Sequence, residues 1–248
     1  MAGHSKWANI RHRKGAQDAK RGKIFTKIIK EISVAVKGSG PDVDANPRLR
    51  LALQNARGQN MPKDTIDRAI KKASGAGGED YVEVTFEGYG PDGSAVFVET
   101  ATDNNTRTVS AVRAAFNKYN GSLGKDGCLQ FIFDRKGMFL IEKSLVEMEE
   151  DDFMMEMIDG GAEDVDFDDE EFISVVTAME DFGSVSSKLG EMNIEAKEAG
   201  LQRIPTTSKA LDPKHIPTFL KLIDVLEDHD DVQKVYHNVE LSESDFED

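Results

Sequence analysis

Tyr81-Val82-Glu83-Val84-Thr85-Phe86-Glu87-Gly88-Tyr89-Gly90-Pro91-Asp92-Gly93-Ser94-Ala95-Val96-Phe97-Val98 admits two readings that lead to different proteins. Residues 88–93 match G-x-G-x-x-G, the phosphate-binding fingerprint of dinucleotide folds. That chemistry requires the glycines to open a helix, whose N-terminus then holds the pyrophosphate. Here Val82, Val84 and Phe86 alternate with Glu83, Thr85 and Glu87, which predicts a strand before the glycines. A second β-rich run, Ser94 to Thr102, follows them, and Pro91 removes a backbone donor from the loop. The segment is therefore a β-hairpin. An antiparallel sheet in an α+β chain is expected in place of a doubly wound nucleotide fold.

Downstream, Asp103-Asn104-Asn105-Thr106-Arg107 is a polar turn that caps a helix over Thr108–Tyr119, with Val109, Val112, Ala115 and Phe116 inward. Gly121 to Gly127 is expected as a loop and Cys128 to Phe133 as a third strand, giving the order ββαβ. Residues 137–204 then form a unit of their own. Its expected elements are a strand at Met138–Ile141, a helix at Leu145–Ile158, strands at Glu163–Phe167 and Phe172–Thr177, a helix at Met179–Met192 and a strand at Ile194–Ile204. That order, βαββαβ, is the ferredoxin-like plait. Met148, Met154, Met155 and Ile158 are assigned to its core, as plastic packing rather than as metal ligands.

A last helix, His215–Glu227, carries Ile216, Phe219, Leu220, Ile223 and Leu226 on one face, and a strand follows at Val232–Val239. This αβ pair is what the earlier ββαβ lacks. Residues 80–135 plus 206–241 are thus expected to form one discontinuous α/β plait, with the plait of residues 137–204 inserted into it and an acidic tail at 242–248.

The formal net charge is −15, from 31 Lys+Arg against 46 Asp+Glu, and by itself it argues against a polyanion partner. Its distribution argues the opposite. Residues 1–75 hold 17 cations and 6 acids, whereas residues 137–248 hold 8 and 31, so one end is +11 and the other −23. Such polarity in a water-soluble chain suggests a polyanion-binding head on an anion-repelling body.

The first 23 residues have few large apolar groups and are expected to be an arm. From Ile24, the residues Phe25, Ile28, Ile29, Ile32, Ala35 and Val36 follow a helical face, and Lys23, Lys27, Lys30 and Lys37 recur on another. Like charges at this spacing destabilise an isolated helix, so a phosphate backbone is the expected neutraliser. Asn46-Pro47 opens a second helix and Met61-Pro62-Lys63-Asp64 a third, and Ser74-Gly75-Ala76-Gly77-Gly78 closes a small all-α domain, residues 1–75. The candidate nucleic-acid contacts are His4, Lys6, Arg11, His12, Arg13, Lys14, Lys20, Arg21, Lys23, Lys27, Lys30, Arg48, Arg50, Lys71 and Lys72.

Little in the chain points to catalysis. The five histidines lack metal-ligand spacing, Cys128 is the single cysteine and is expected as a small buried hydrophobe, and Asp228, Asp230 and Asp231 lack the glycine and bidentate glutamate of a calcium loop. No nucleophile–base pair follows from spacing. The expectation is a non-enzymatic protein without cofactor, metal or small-molecule substrate. No stretch nears the roughly 20 apolar residues that span a bilayer, and the N-terminus has no apolar signal region. A reducing cytoplasm is the expected compartment.

Met1-Ala2-Gly3-His4-Ser5-Lys6-Trp7-Ala8-Asn9-Ile10, His12-Arg13-Lys14 and Gln17-Asp18-Ala19-Lys20-Arg21-Gly22-Lys23 strongly resemble the YebC/PmpR family. So do Asn46-Pro47-Arg48-Leu49-Arg50, Asn60-Met61-Pro62-Lys63-Asp64, Glu87-Gly88-Tyr89-Gly90-Pro91, Phe133-Asp134-Arg135-Lys136-Gly137 and Asp231-Val232-Gln233-Lys234-Val235-Tyr236-His237-Asn238. The chain departs from that pattern at Gly15, where many relatives carry Ala, and at Gln54-Asn55, where charged residues are commoner. The resemblance implies a three-domain cytoplasmic protein without catalysis. Two targets follow from it. One is DNA, bound by a transcriptional regulator. The other is ribosomal RNA, bound by a translation factor that relieves stalls on proline-rich stretches, as in mitochondrial relatives that activate translation of a cytochrome oxidase subunit. Both polyanions attract the same cations.

Overall fold

The computed structural model describes residues 17–75, 79–242 and Asp245, with side chains from Gly22 onward. It begins with three helices, α1 (Gln17–Ser39), α2 (Pro47–Gly58) and α3 (Lys63–Ser74). Helix α1 starts seven residues before Ile24, so Gln17 to Lys23 extend the helix and are not part of an arm. Ala19, Lys20, Arg21 and Lys23 are strong helix formers, and a reading weighted on apolar spacing does not register them. The three helices bury Ile32, Val36, Leu49, Ala52, Leu53, Ile66 and Ala69 in one core. Asn46 joins the first two: its side chain caps α2 through the Leu49 N–H at 3.0 Å, and its Nδ2 donates to the carbonyls of Ala35 and Gly40, both at 2.8 Å.

The hairpin forms as the alternation dictates. Strands β1 (Val82–Tyr89) and β2 (Ala95–Thr102) pair antiparallel from Val82 opposite Thr102 to Tyr89 opposite Ala95. Their tight turn places Asp92 and Gly93 at φ of 54° and 72°. Helix α4 (Asn105–Lys118), capped by the Asn104 side chain, leads to a two-residue strand β3 (Ser122–Leu123). The third strand therefore lies where a loop was expected, and Cys128 to Ile132 form turns. Buried Glu87 explains the exchange. Its carboxylate accepts the N–H groups of Gly127 at 2.9 Å and Leu129 at 2.6 Å, and its carbonyl accepts that of Gly124 at 2.7 Å. Leu129 is buried as a plug, and Cys128 is half-buried in a turn rather than at the head of a strand.

Phe133 opens the second sheet instead of closing the first. Strands β4 (Phe133–Glu142), β5 (Ala162–Asp166), β6 (Phe172–Ala178) and β7 (Glu198–Pro205) lie in the order β5-β6-β4-β7, all pairs antiparallel, with helices α5 (Glu150–Asp159) and α6 (Phe182–Glu191) over one face. This is the plait order. Its helices are shorter than the apolar spacing suggested, and the core face of α5 is Phe153 and Met157. Met148, Met155 and Ile158, assigned to the core by spacing, are exposed.

Helix α7 (Ile216–Asp228) and strand β8 (Val232–His237) return to the first sheet, whose order is β3-β1-β2-β8. In both sheets the two strands joined across a helix, β2 and β3 or β4 and β5, are not neighbours but flank a third strand, β1 or β6. Phe116 of α4 and Phe219, Leu222, Ile223 and Leu226 of α7 cover the first sheet, with Leu222 in the place expected of Leu220.

Helix α2 covers the outer edge of β7. The Asn55 amide accepts from the Ala199 N–H and donates to the Ala199 carbonyl, each at 2.9 Å, while Gln54 donates to the Ala196 carbonyl at 3.1 Å. A side-chain amide thus completes the hydrogen bonding of an otherwise open strand edge. At Gly58 a Cβ atom would stand 1.9 Å from the Lys197 carbonyl oxygen, whereas at Gly38 it would meet nothing within 4 Å. Replacing glycine by alanine in a helix normally gains up to about 1 kcal/mol. Gly38→Ala should therefore raise the urea midpoint, and Gly58→Ala should lower it and speed proteolysis between α2 and β7. A Gly58→Ala protein as stable as Gly38→Ala would show that this docking is not close-packed.

Candidate nucleic-acid interface

The lysine stripe of α1 is engaged by the body of the protein. Lys30 is buried, and its ammonium donates to Asp231 Oδ1 at 2.7 Å, the Asp230 carbonyl at 2.8 Å and the Ala101 carbonyl at 3.3 Å. Lys27 donates to the Glu227 carbonyl at 3.0 Å, Lys23 pairs with Asp228, and Lys37 pairs with Asp80 at 2.8 Å. The partners sit mostly at the C-terminal end of α7 and in the turn after it, where unpaired helix carbonyls add their own negative field. The neutraliser expected to be a phosphate backbone is, for this face, the protein's own acidic turn. Lys30, with three partners, is in this arrangement a docking residue and not a phosphate contact.

Asp231 is the centre of that turn. It is buried, and its second oxygen accepts from Arg107 Nη2 at 2.7 Å, Thr108 Oγ1 at 2.8 Å and Thr102 Oγ1 at 3.2 Å. Burial by itself raises its pKa, but the hydrogen bonds from Lys30, Arg107 and Thr108 outweigh that and hold the carboxyl well below the usual carboxylate range. Arg107 also reaches Asp103 at 2.7 Å. Sequence reasoning passed over Asp228, Asp230 and Asp231 once a calcium loop was excluded. The signal available was their charge complementarity to the stripe.

The other candidates are placed differently. Arg48 forks onto Glu83 of β1, whose carboxyl its hydrogen bond holds below the usual range. Arg50 caps the loop between α1 and α2 through the Asp44 carbonyl at 2.8 Å, its side chain exposed. Lys71 and Lys72 are exposed on α3, with Lys72 near Glu79 at 3.0 Å. Lys63 and Arg68, absent from the candidate set, are exposed on the same helix, which also exposes Asp64 and Asp67. His4, Lys6, Arg11, His12, Arg13 and Lys14 lie outside the described residues. Lys20 and Arg21 belong to the first turns of α1, with side chains outside the described set.

A cleft of about 1780 Å³ separates the helical head from the two sheets. Its walls carry ten carboxylates, among them Glu31, Glu99 and Glu198, against seven Lys or Arg. Arg203 stands 3.8 Å over the Phe97 ring and pairs with Glu99 at 3.0 Å. Burial raises the Glu31 pKa, against the lowering pull of Lys234 and Arg48. An acidic excess makes this cleft a poor channel for a polyanion. No described helix is long and apolar enough to cross a membrane.

Residues 5–76 match the profile of the TACO1/YebC protein N-terminal domain, and residues 81–239 match that of the TACO1/YebC second and third domain. The chain belongs to the TACO1/YebC family. A relative from Amoebophilus asiaticus, named "Probable transcriptional regulatory protein", is 52% identical over 240 residues, covering 96% of this chain and 98% of the relative. One of the same name from Clostridium botulinum (strain Okra / Type B1) is 51% identical over 244 residues, with 98% of each covered. The crystal structure of a conserved hypothetical protein from Aquifex aeolicus superposes with a TM-score of 0.83 at 40% identity, covering 96% of this chain and 97% of that one.

The Lys30–Asp231 contact has a measurable consequence. Removing one partner of a buried ion pair typically costs about 3–5 kcal/mol, because the other charge stays buried. Lys30→Met should lose stability on that order in urea unfolding, and a loss under about 1 kcal/mol would contradict the buried lock. Because the Asp231 pKa is depressed on folding, its contribution is complete above the unfolded value, about pH 4, and is lost as pH falls toward the folded one. Asp231→Asn should flatten the stability loss below that pH. An unchanged acid limb would assign the loss to other carboxylates.

Proposed function

We propose that this protein is a non-enzymatic, nucleic-acid-binding regulator of gene expression that acts in the cytoplasm and grips DNA through its basic head. The observation that carries the reading is the charge polarity, +11 over residues 1–75 and −23 over residues 137–248. Supporting it, curated relatives about half identical over nearly the whole chain bear the name of transcriptional regulators. The proposed contact set is His4, Lys6, Arg11, His12, Arg13, Lys14, Lys20, Arg21, Lys23, Lys27, Arg48, Arg50, Lys71 and Lys72. Lys30 is left out because its ammonium is already saturated.

Chemically, this set neutralises phosphates and reads shape. Among the described residues, Asn and Gln do not cluster with Arg on an exposed helix face, so base-edge readout in the major groove is not its strength. The acidic sheets repel further duplex and leave the head as the end that engages.

Fluorescence anisotropy on duplex DNA at several salt concentrations tests this directly. Replacing Arg11, Arg13, Lys14, Lys20, Arg21 and Lys23 by Ala should weaken binding and lower the log–log salt slope by roughly 0.7–0.9 per lost phosphate contact. Unaltered affinity and slope would remove residues 11–23 from the interface. Sedimentation of the tagged protein with ribosomal subunits, together with no footprint on promoter DNA, would transfer the same head to ribosomal RNA.

A further inference from the structure

Phe131 is 84% exposed, more than any other large apolar side chain among the described residues. The turn that displays it is anchored on both sides. Before it, Leu129 is fully buried against the underside of the first sheet, in a cluster with Ala95, Phe97 and Phe133. The buried Glu87 carboxylate holds the N–H groups of Gly127 and Leu129, and Gly127 takes the positive φ, +82°, that the reversal requires. After it, the Thr206 N–H donates to the Ile132 carbonyl at 2.8 Å, and the Thr206 hydroxyl lies 3.2 Å from the carbonyls of Phe131 and Ile132. With its neighbours pinned inward, the ring is held in water by construction.

Its surroundings narrow the occupant. Gln130, Lys125 and Arg135 are exposed on the segment that carries it, as are Asp126 and Asp134, while Lys136 pairs with Glu163 at 2.7 Å. Thr206, which ties this turn through the backbone carbonyls of Phe131 and Ile132, also lines the cleft to which α2 contributes Arg48 and Arg50. An aromatic face beside a side-chain amide and flanking cations is the chemistry that takes an unpaired base. We propose that Phe131 is a stacking platform for an unpaired nucleobase of the bound nucleic acid, with the Gln130 amide at the base edge and Lys125 and Arg135 toward the adjoining phosphates. The site thus selects single-stranded or locally opened segments, and the inference rests on the nucleic-acid reading above.

The experiment compares the wild-type chain, Phe131→Ala and Phe131→Trp by anisotropy, on a labelled 20-nucleotide single strand and on a duplex of the same sequence. Stacking lost on truncation to alanine is expected to weaken single-strand binding about 5- to 100-fold. The salt slope should stay unchanged, because no phosphate contact is lost. Duplex affinity and the melting temperature should not move, and Phe131→Trp should restore binding, with quenching of indole emission beyond that of the wild type. Equal affinity of wild type and Phe131→Ala for the single strand overturns the proposal, as does an equal loss on both substrates, the mark of a partner-protein or structural role. A wild-type chain that binds neither substrate overturns the nucleic-acid reading itself.

Discussion

A single buried carboxylate, Asp231, sits where four parts of the chain meet. Lys30 reaches it from α1, Thr102 from the end of β2, Arg107 and Thr108 from the first turns of α4, and its own backbone joins α7 to β8. Taking a carboxylate out of water costs several kcal/mol, and that cost is offset here only because two cations and two hydroxyls converge on its two oxygens. The convergence cannot be partial. With Lys30 displaced, the acid would lose its one ligand among the described residues of the head. With Arg107 displaced, the start of α4 would lose its tie to the returning strand. The seating of the head and the return of β8 to the first sheet thus share one carboxylate.

This divides the basic residues of the head into two populations. Lys30 is spent inside the molecule, at low dielectric and out of reach of salt. Lys23 is half-exposed, and its pair with Asp228, like the fork between Arg48 and Glu83, is solvent-screened and worth little on its own. Cations of the second kind can exchange a carboxylate for a phosphate at small cost. The acidic body therefore positions the head through the buried pair and holds its exposed cations only loosely.

Local grammar was enough for much of the fold. Alternation at Val82, Val84 and Phe86 marked the hairpin against the lure of its glycines, the Asn46-Pro47 pair marked the start of α2, and the βαββαβ order marked the inserted plait. What escaped depended on partners distant in the chain. Cys128 to Phe133 is apolar enough for a strand, yet Glu87, some forty residues earlier, captures the amide of Leu129 and that of Gly127 just before the segment, and makes it a turn. On α5 the spacing fits two faces, Phe153 with Met157 or Met155 with Ile158, and only the sheet beneath selects the first. The lysine stripe was visible, but its neutraliser lies about 200 residues away, beyond the range of any periodicity.

The head is held on the body by contacts of different chemistry, among them the buried charge at Asp231, the amide ladder of Gln54 and Asn55 on β7, the pair of Arg57 with Glu195 at 2.7 Å and the exposed fork of Arg48 on Glu83. They touch β1 and the turn before β8 in one sheet and β7 in the other, so one helical head bears on both sheets. The amide at Asn55 then has a physical reading. A charged side chain at Asn55 would bury its charge against a strand edge, whereas an amide supplies both the donor and the acceptor that the Ala199 backbone presents.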